Sequence, residues 1–186
     1  MLHTLRARPT TAAPARDAVD LLMDCHARIR AFTATAARLA RALDAPPADV
    51  ASAATALRRY FTVAMPLHAA DEDSSVGPRL RASSAPLEVR DAVATIAEQH
   101  EAIDRLIEAL AADWRSLSFD PTRLPALAPR MADDVATLDL IWGVHLTLEE
   151  EVVFPALRRW VAPEELARVV DEMSARRPAS SFTREA

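Results

Sequence analysis

Two histidine–glutamate pairs stand at the same spacing in the two halves of the chain. His68 is followed four residues later by Glu72, and His145 is followed four residues later by Glu149. On an α-helix, residues four apart share a face and lie about 6 Å apart along the axis, so each pair would present an imidazole together with a carboxylate. A buried carboxylate needs a counter-charge, and mixed imidazole and carboxylate ligation suits iron, manganese or zinc. The pairs therefore predict a metal site.

The segments around these pairs resemble each other. HAADEDSSVGPRL (68–80) aligns without a gap with HLTLEEEVVFPAL (145–157), and the two share histidine, glutamate, proline and leucine at matching positions. Upstream, CHARI and QHEAI share a His-x-x-Ile pattern, whose histidines are His26 and His100. A two-fold pseudo-repeat implies a site with two similar halves. Four histidines and two glutamates could hold two metal ions, with two imidazoles on each ion and the carboxylates bridging them.

Apolar periodicity predicts four helices, each with one inward histidine. Apolar residues recur at alternating spacings of three and four, which is typical of helices that face a bundle core. No lysine or arginine stands in these rows at the level of the histidines. In the last row the pattern runs His145, Glu149 and Val152, so Glu150 and Glu151 should turn away, toward solvent or behind the ligands. The predicted helices cover about residues 15–43, 50–68 and 89–117, and the fourth starts near 125.

The connections between these helices are short, at 44–47, 81–86 and 118–125, so neighbouring helices should be antiparallel. The fold class predicted is all-α, an up-down-up-down four-helix bundle with a short C-terminal fifth helix at 163–174. The corresponding domain organisation is an N-terminal tail at 1–14, the bundle at 15–160, and the short helix with a tail at 161–186. Pro66 and Gly143 each precede a candidate ligand histidine by two residues, and we expect a kink or π-bulge at both.

The composition agrees with an all-α chain and excludes several functions. Only two of the 186 residues are glycine, and alanine, leucine and arginine, which favour helices, are abundant. A net charge of −5 without a basic face gives no reason to expect nucleic acid. No apolar run is long enough to span a membrane, and Cys25 is the only cysteine, so no internal disulfide is expected. We expect a cytoplasmic protein.

The order His, His-x-x-x-Glu, His, His-x-x-x-Glu, with EEEVVFP at the last pair, resembles the hemerythrin-like (HHE cation-binding) domain family over about residues 15–160. The resemblance implies a non-haem di-iron site with an oxo or hydroxo bridge, with zinc or manganese as alternative metals. It also implies that Glu72 and Glu149 bridge the two ions. The terminal ligands would be His26, His68, His100 and His145.

The resemblance also implies a function. Members of the family store or sense oxygen, respond to nitric oxide or peroxide, or sense iron. We therefore expect a protein that binds or senses a small diatomic or peroxide ligand. The alternatives are a di-iron enzyme that decomposes peroxide or nitric oxide, and a protein of iron handling or iron–sulfur repair. A metal-free interaction bundle with structural histidines is a further alternative. The sequence leaves a protein partner and the oligomeric state open.

One position departs from the oxygen-carrying members of the family. Those members have a second histidine one turn after the histidine of the third helix, and this chain has Asp104 there. Asp104 could be a substitute ligand, a hydrogen-bond acceptor behind a ligand, or an exposed acid beside Arg105. With fewer histidines, an iron would be more open to water, peroxide or nitric oxide.

Overall fold

The computed structural model describes residues 16–177, and all regular secondary structure in this range is helical. The first helix, Ala18–Leu39, begins with a reciprocal cap, in which the Asp17 side chain accepts from the Asp20 N–H and the Asp20 side chain accepts from the Asp17 N–H. This helix ends before residue 43, where the apolar row was expected to end. Leu43 consequently lies in the connection and is exposed.

The second and fourth helices are each built from several segments. The second consists of Pro47–Arg59, Met65–Asp71 and Gly77–Ala82, joined by π-helical turns at Tyr60–Ala64 and Glu72–Val76. The third helix, Leu87–Phe119, is continuous. A 3₁₀ turn, Pro121–Arg123, leads into the fourth helix, which consists of Leu124–Leu148, a π-helical turn at Glu149–Val153, and Phe154–Trp160. The connections at 83–86 and 120–123 are therefore shorter than expected.

Each π-helical turn ends two residues before a proline. The N–H groups of Met65, Gly77 and Phe154 donate to carbonyls five residues earlier, and the next residue in each case is proline. Proline has no N–H and its ring crowds the carbonyl four residues earlier, so a wider turn relieves the clash. The expected irregularity near Pro66 is thus confirmed. The one expected at Gly143 is wrong, because glycine keeps its N–H and the helix there is regular.

The first four helices form a bundle in which the first packs on the second and fourth, and the third packs on the second and fourth. The bundle core consists of two apolar clusters separated by a polar layer. On every helix, the candidate histidine lies between a residue of one cluster and a residue of the other. These flanking pairs are Leu22 and Ile29, Met65 and Val76, Ile96 and Ile103, and Trp142 and Val153. The predicted all-α four-helix bundle is confirmed.

A short fifth helix, Pro163–Ala175, was also expected and is present. It buries Val169 and Met173 against the bundle, and the two arginines that follow it bind Asp71 on the second helix. The two predicted tails fall mainly on residues 1–15 and 178–186, outside the described residues, and the domain boundaries stay a prediction. No helix in the described range is long and apolar enough to cross a membrane.

Candidate metal centre

The structure brings all six sequence-predicted ligands together in the polar layer of the bundle. Each of them is buried, and at most 6% of the residue's surface is accessible to solvent. They form two groups, and the ligand atoms within each group all lie within 4.8 Å of one another. Both groups contain Glu72 and Glu149. The first adds His26 and His68, and the second adds His100 and His145.

The two carboxylates divide their oxygens between the groups. Oε1 of Glu72 lies 3.2 Å from Nε2 of His68, and its Oε2 lies 3.3 Å from Nε2 of His100. Oε2 of Glu149 lies 3.0 Å from Nε2 of His26, and its Oε1 lies 3.2 Å from Nε2 of His145. Each glutamate therefore faces both halves of the site, which is the geometry that a bridging carboxylate requires.

The polar atoms that face inward lie 3.0–3.3 Å from one another but do not meet in hydrogen-bond geometry. Within residues 16–177, no hydrogen bond forms to Nε2 of any of the four histidines or to the carboxylate oxygens of Glu72 and Glu149. Buried polar atoms are rarely left in this state, because each one costs about 1–3 kcal/mol. Eight such atoms directed at one another form a donor set of nitrogen and carboxylate oxygen that fits transition-metal ions.

The two buried carboxylates of the site also require positive charge to balance them. Burial alone would raise the pKa of Glu72, but the imidazoles of His68 and His100 outweigh it and hold the pKa well below its usual value. Burial alone would lower the pKa of His26, but the carboxylates of Glu149 and Glu72 raise it to about 10. No lysine or arginine is buried among the described residues. Protons on the imidazoles, or bound cations, must therefore balance the two carboxylates.

Three of the histidines are held from behind by a polar partner. Nδ1 of His26 lies 2.7 Å from the Glu150 carboxylate, Nδ1 of His100 lies 3.2 Å from Asp73, and Nδ1 of His145 lies 2.9 Å from the Gln99 carbonyl oxygen. Such partners fix the orientation of an imidazole and leave Nε2 free to bind a metal. His68 is the exception, because no carboxylate or amide oxygen holds its Nδ1 and the Cys25 thiol lies beside the ring instead.

Sequence reasoning missed Asp73 and Gln99 and left Glu150 undecided. A common feature could have indicated them, since each is the chain neighbour of a candidate ligand but supports a histidine on a different helix. Glu150 follows Glu149, Asp73 follows Glu72, and Gln99 precedes His100. Side chains next to a ligand on a helix point away from that ligand's face and toward the adjacent helix. The polar residues that hold the imidazoles could therefore have been predicted as the chain neighbours of the candidate ligands.

The remaining acids and aromatic residues have simpler positions. Asp104 is exposed and belongs to neither group of candidate ligands, and Glu151 is also exposed. The ring of Trp142 packs edge-on against His145 at 5.3 Å between centroids, and the ring of Phe154 lies 5.0 Å from that of His26. These aromatic rings help to separate the polar layer from solvent.

A small cavity adjoins the two glutamates. It has a volume of about 20 Å³ and is lined by Glu72 and Glu149, with Gly77, Val93 and Val153 among its walls. A cavity of this size has room for roughly one water molecule. Only a ligand of a few atoms would fit next to the carboxylates without rearrangement of the helices.

Comparison with known families agrees with this geometry. The family model described as the hemerythrin HHE cation binding domain matches residues 17–157, a segment that contains all six candidate ligands. No individual curated protein matches the chain. The matched segment covers most of the 186 residues. The chain therefore belongs to the hemerythrin HHE cation-binding domain family.

Proposed function

We propose that this protein holds two metal ions and that the metal is iron. In this proposal the ions bind or sense a small ligand such as oxygen, nitric oxide or peroxide. In the proposal, His26 and His68 bind one ion, and His100 and His145 bind the other. Glu72 and Glu149 would hold both ions, and an oxo or hydroxo group would complete the site. The observation that carries the proposal is the division of each carboxylate's two oxygens between the two groups of ligands.

The donor set supports iron over the alternatives. Each ion would receive two imidazole nitrogens and two carboxylate oxygens. Four such ligands fill the usual tetrahedral shell of zinc, whereas iron in mixed histidine and carboxylate sites commonly keeps open positions for exogenous ligands. Manganese and zinc remain alternatives that metal analysis distinguishes.

The size of the adjacent cavity supports a small ligand. About 20 Å³ beside Glu72 and Glu149 leaves no room for an organic substrate. When bound, iron would supply ligand binding and one-electron chemistry. The protein's own contribution is to fix the imidazoles through Glu150, Asp73 and Gln99, and to exclude bulk water by packing apolar residues on both sides of the layer.

The test is anaerobic purification followed by quantification of iron, zinc and manganese, and then visible spectroscopy during exposure to air, azide, peroxide and nitric oxide. We expect about two irons per chain and ligand-dependent charge-transfer bands in the near ultraviolet. A protein that contains no metal, cannot be reconstituted and shows no such bands would overturn the proposal. A protein that retains only zinc would contradict iron chemistry but leave the ligand set intact.

Steady-state assays separate a sensor from an enzyme. A di-iron enzyme would consume peroxide or nitric oxide over many cycles when an electron donor is present. A binding or sensing protein would show a saturable spectral change and no sustained consumption. Measuring both on the same iron-loaded sample decides between the proposed role and the enzymatic alternative.

A further inference from the structure

A second, much larger opening lies between the first, second and fifth helices. This groove has a volume of about 1230 Å³, which exceeds the roughly 300–1,000 Å³ of common small-molecule sites. Apolar side chains form much of its lining, and one of them, Val63, is 59% exposed. The apolar lining includes Leu21, Phe32, Val63, Leu67 and Met173.

The charges along the groove are predominantly positive. Four arginines line it, and Asp24 is its one acid. Arg16 pairs with Asp24 at 2.6 Å, and Arg177 pairs with Asp71 beneath the fifth helix. The other two, Arg28 and Arg59, have no carboxylate partner within the described part of the chain. An apolar groove with two uncompensated arginines is complementary to a molecule that carries an apolar body and a negative charge.

The floor of the groove reaches the candidate metal centre. His68 and Cys25 both line it, and His68 is only 2% exposed. Nδ1 of His68 accepts or donates no hydrogen bond to a carboxylate or amide oxygen among residues 16–177, unlike Nδ1 of the other three histidines. The Arg28 guanidinium donates to Sγ of Cys25 at 3.5 Å, and Cys25 in turn contacts His68. A guanidinium and an imidazole thus stand on either side of one thiol.

We propose that this groove binds an organic carboxylate with an apolar chain, such as a fatty acid. The head group lies at the floor, against Arg28 and the Cys25 thiol, and the chain lies along the apolar wall that contains Val63. The buried Cys25 thiol separates this carboxylate from the His68 ring. Arg28 supplies the charge-assisted hydrogen bond that fixes the carboxylate.

The position of the head group would couple binding in the groove to the candidate metal centre. The Cys25 thiol contacts His68, so a carboxylate bound against this thiol would act, through Cys25, on the orientation of an imidazole that is proposed to bind metal. This coupling rests on the proposed function, whereas binding in the groove does not. The two can therefore fail separately.

The experiment is calorimetric titration of the full-length protein, as purified, with decanoate below its micellar concentration, and with decanol and decylamine as neutral and cationic probes. We expect saturable binding of about one decanoate per chain, at least tenfold tighter than binding of either other probe. Arg28→Met should weaken decanoate binding at least tenfold. Arg38→Met, an exposed arginine on the same helix outside the groove, should leave it unchanged.

A second variant protects the test from a folding defect. Val63 is exposed, so Val63→Glu should fold normally, and its charge should repel decanoate from the apolar wall. Absence of saturable binding, equal affinity for the three probes, or no effect of either groove variant would overturn the proposal. A dimer in sedimentation that Val63→Glu dissociates, without decanoate binding, would instead assign the groove to a second copy of the chain.

Iron content and near-ultraviolet spectra of the same samples separate this proposal from the di-metal proposal. A decanoate-induced shift of the bands, lost in Arg28→Met, supports the coupling to the metal. Decanoate binding without iron supports the groove and counts against the di-iron function. Two irons per chain without decanoate binding would support the di-iron function and count against the groove.

Discussion

Glu72 and Glu149 each begin a π-helical turn, and each accepts through its backbone carbonyl a hydrogen bond from the residue five positions later. The turns lie on different helices, yet they stand at matching positions of the repeat. Twelve residues of regular α-helix rotate a side chain by about 120° from its starting face. The wider turn removes most of this drift, so that four residues at strict intervals of four stay buried on one face. They are His68, Glu72, Val76 and Leu80 on the second helix, and His145, Glu149, Val153 and Leu157 on the fourth.

A direct test of the site compares two neighbouring glutamates. Glu149→Gln removes a charge that both groups of ligands share, so we expect the bound metal to fall from about two ions per chain to less than one. Glu151→Gln changes an exposed residue and should retain the full amount. Metal per chain, measured by mass spectrometry after identical purification, gives the answer. Equal retention in both variants would mean that Glu149 is not a ligand.

Replacing a residue that holds an imidazole through Nδ1 should weaken metal binding less than replacing a ligand. Glu150 accepts from Nδ1 of His26 at 2.7 Å and is itself held by Arg30. Glu150→Ala should therefore weaken metal affinity by about 10–100-fold, the range typical for such outer contacts, without abolishing binding. Competition with a chelator measures the change. Asp104→Ala is the matched control, because Asp104 is exposed and lies outside both groups. A loss of affinity in the control would revive Asp104 as a ligand.

The sequence predicted the bundle and the inward histidines because both depend on local periodicity, which the spacing of apolar residues records directly. It placed Val152 in the inward row, whereas Val153 is the buried residue. The error arose because an α-helical period was applied across a π-helical turn. The signal for that turn was present as a strict four-residue spacing followed by Pro155. The groove could not be predicted, because it depends on how the fifth helix docks on the bundle.

The two glycines of the chain should respond oppositely to a methyl group. A Cβ on Gly77 would lie 3.3 Å from the backbone oxygen of Glu72 and 3.3 Å from a methyl of Val93, beside the small cavity. Gly77→Ala should therefore destabilise the fold and slow azide binding to the iron-loaded protein. Gly143 has no such neighbour within 4 Å, so Gly143→Ala should stabilise the helix by about 0.5–1 kcal/mol. Urea denaturation and stopped-flow spectroscopy measure the two effects. Equal azide rates in the two variants would contradict access through this cavity.

Attachment of the fifth helix should weaken in acid. Hydrogen bonds from Arg79 and Ser75 lower the pKa of Glu172 to about 2, from an ordinary value of 4.5. Because the folded-state pKa is the lower one, the interaction stabilises the protein above about pH 4.5, and its contribution disappears as the pH falls toward 2. Glu172 is partly exposed, so this contribution is about 1 kcal/mol or less. The difference in unfolding free energy between the natural protein and Glu172→Gln should therefore be largest near pH 7 and shrink below pH 4.5. Asp171→Asn, an exposed neighbour on the same helix, should show no such trend. A difference that stays constant from pH 7 to pH 3 would show that the Glu172 charge does not hold this helix.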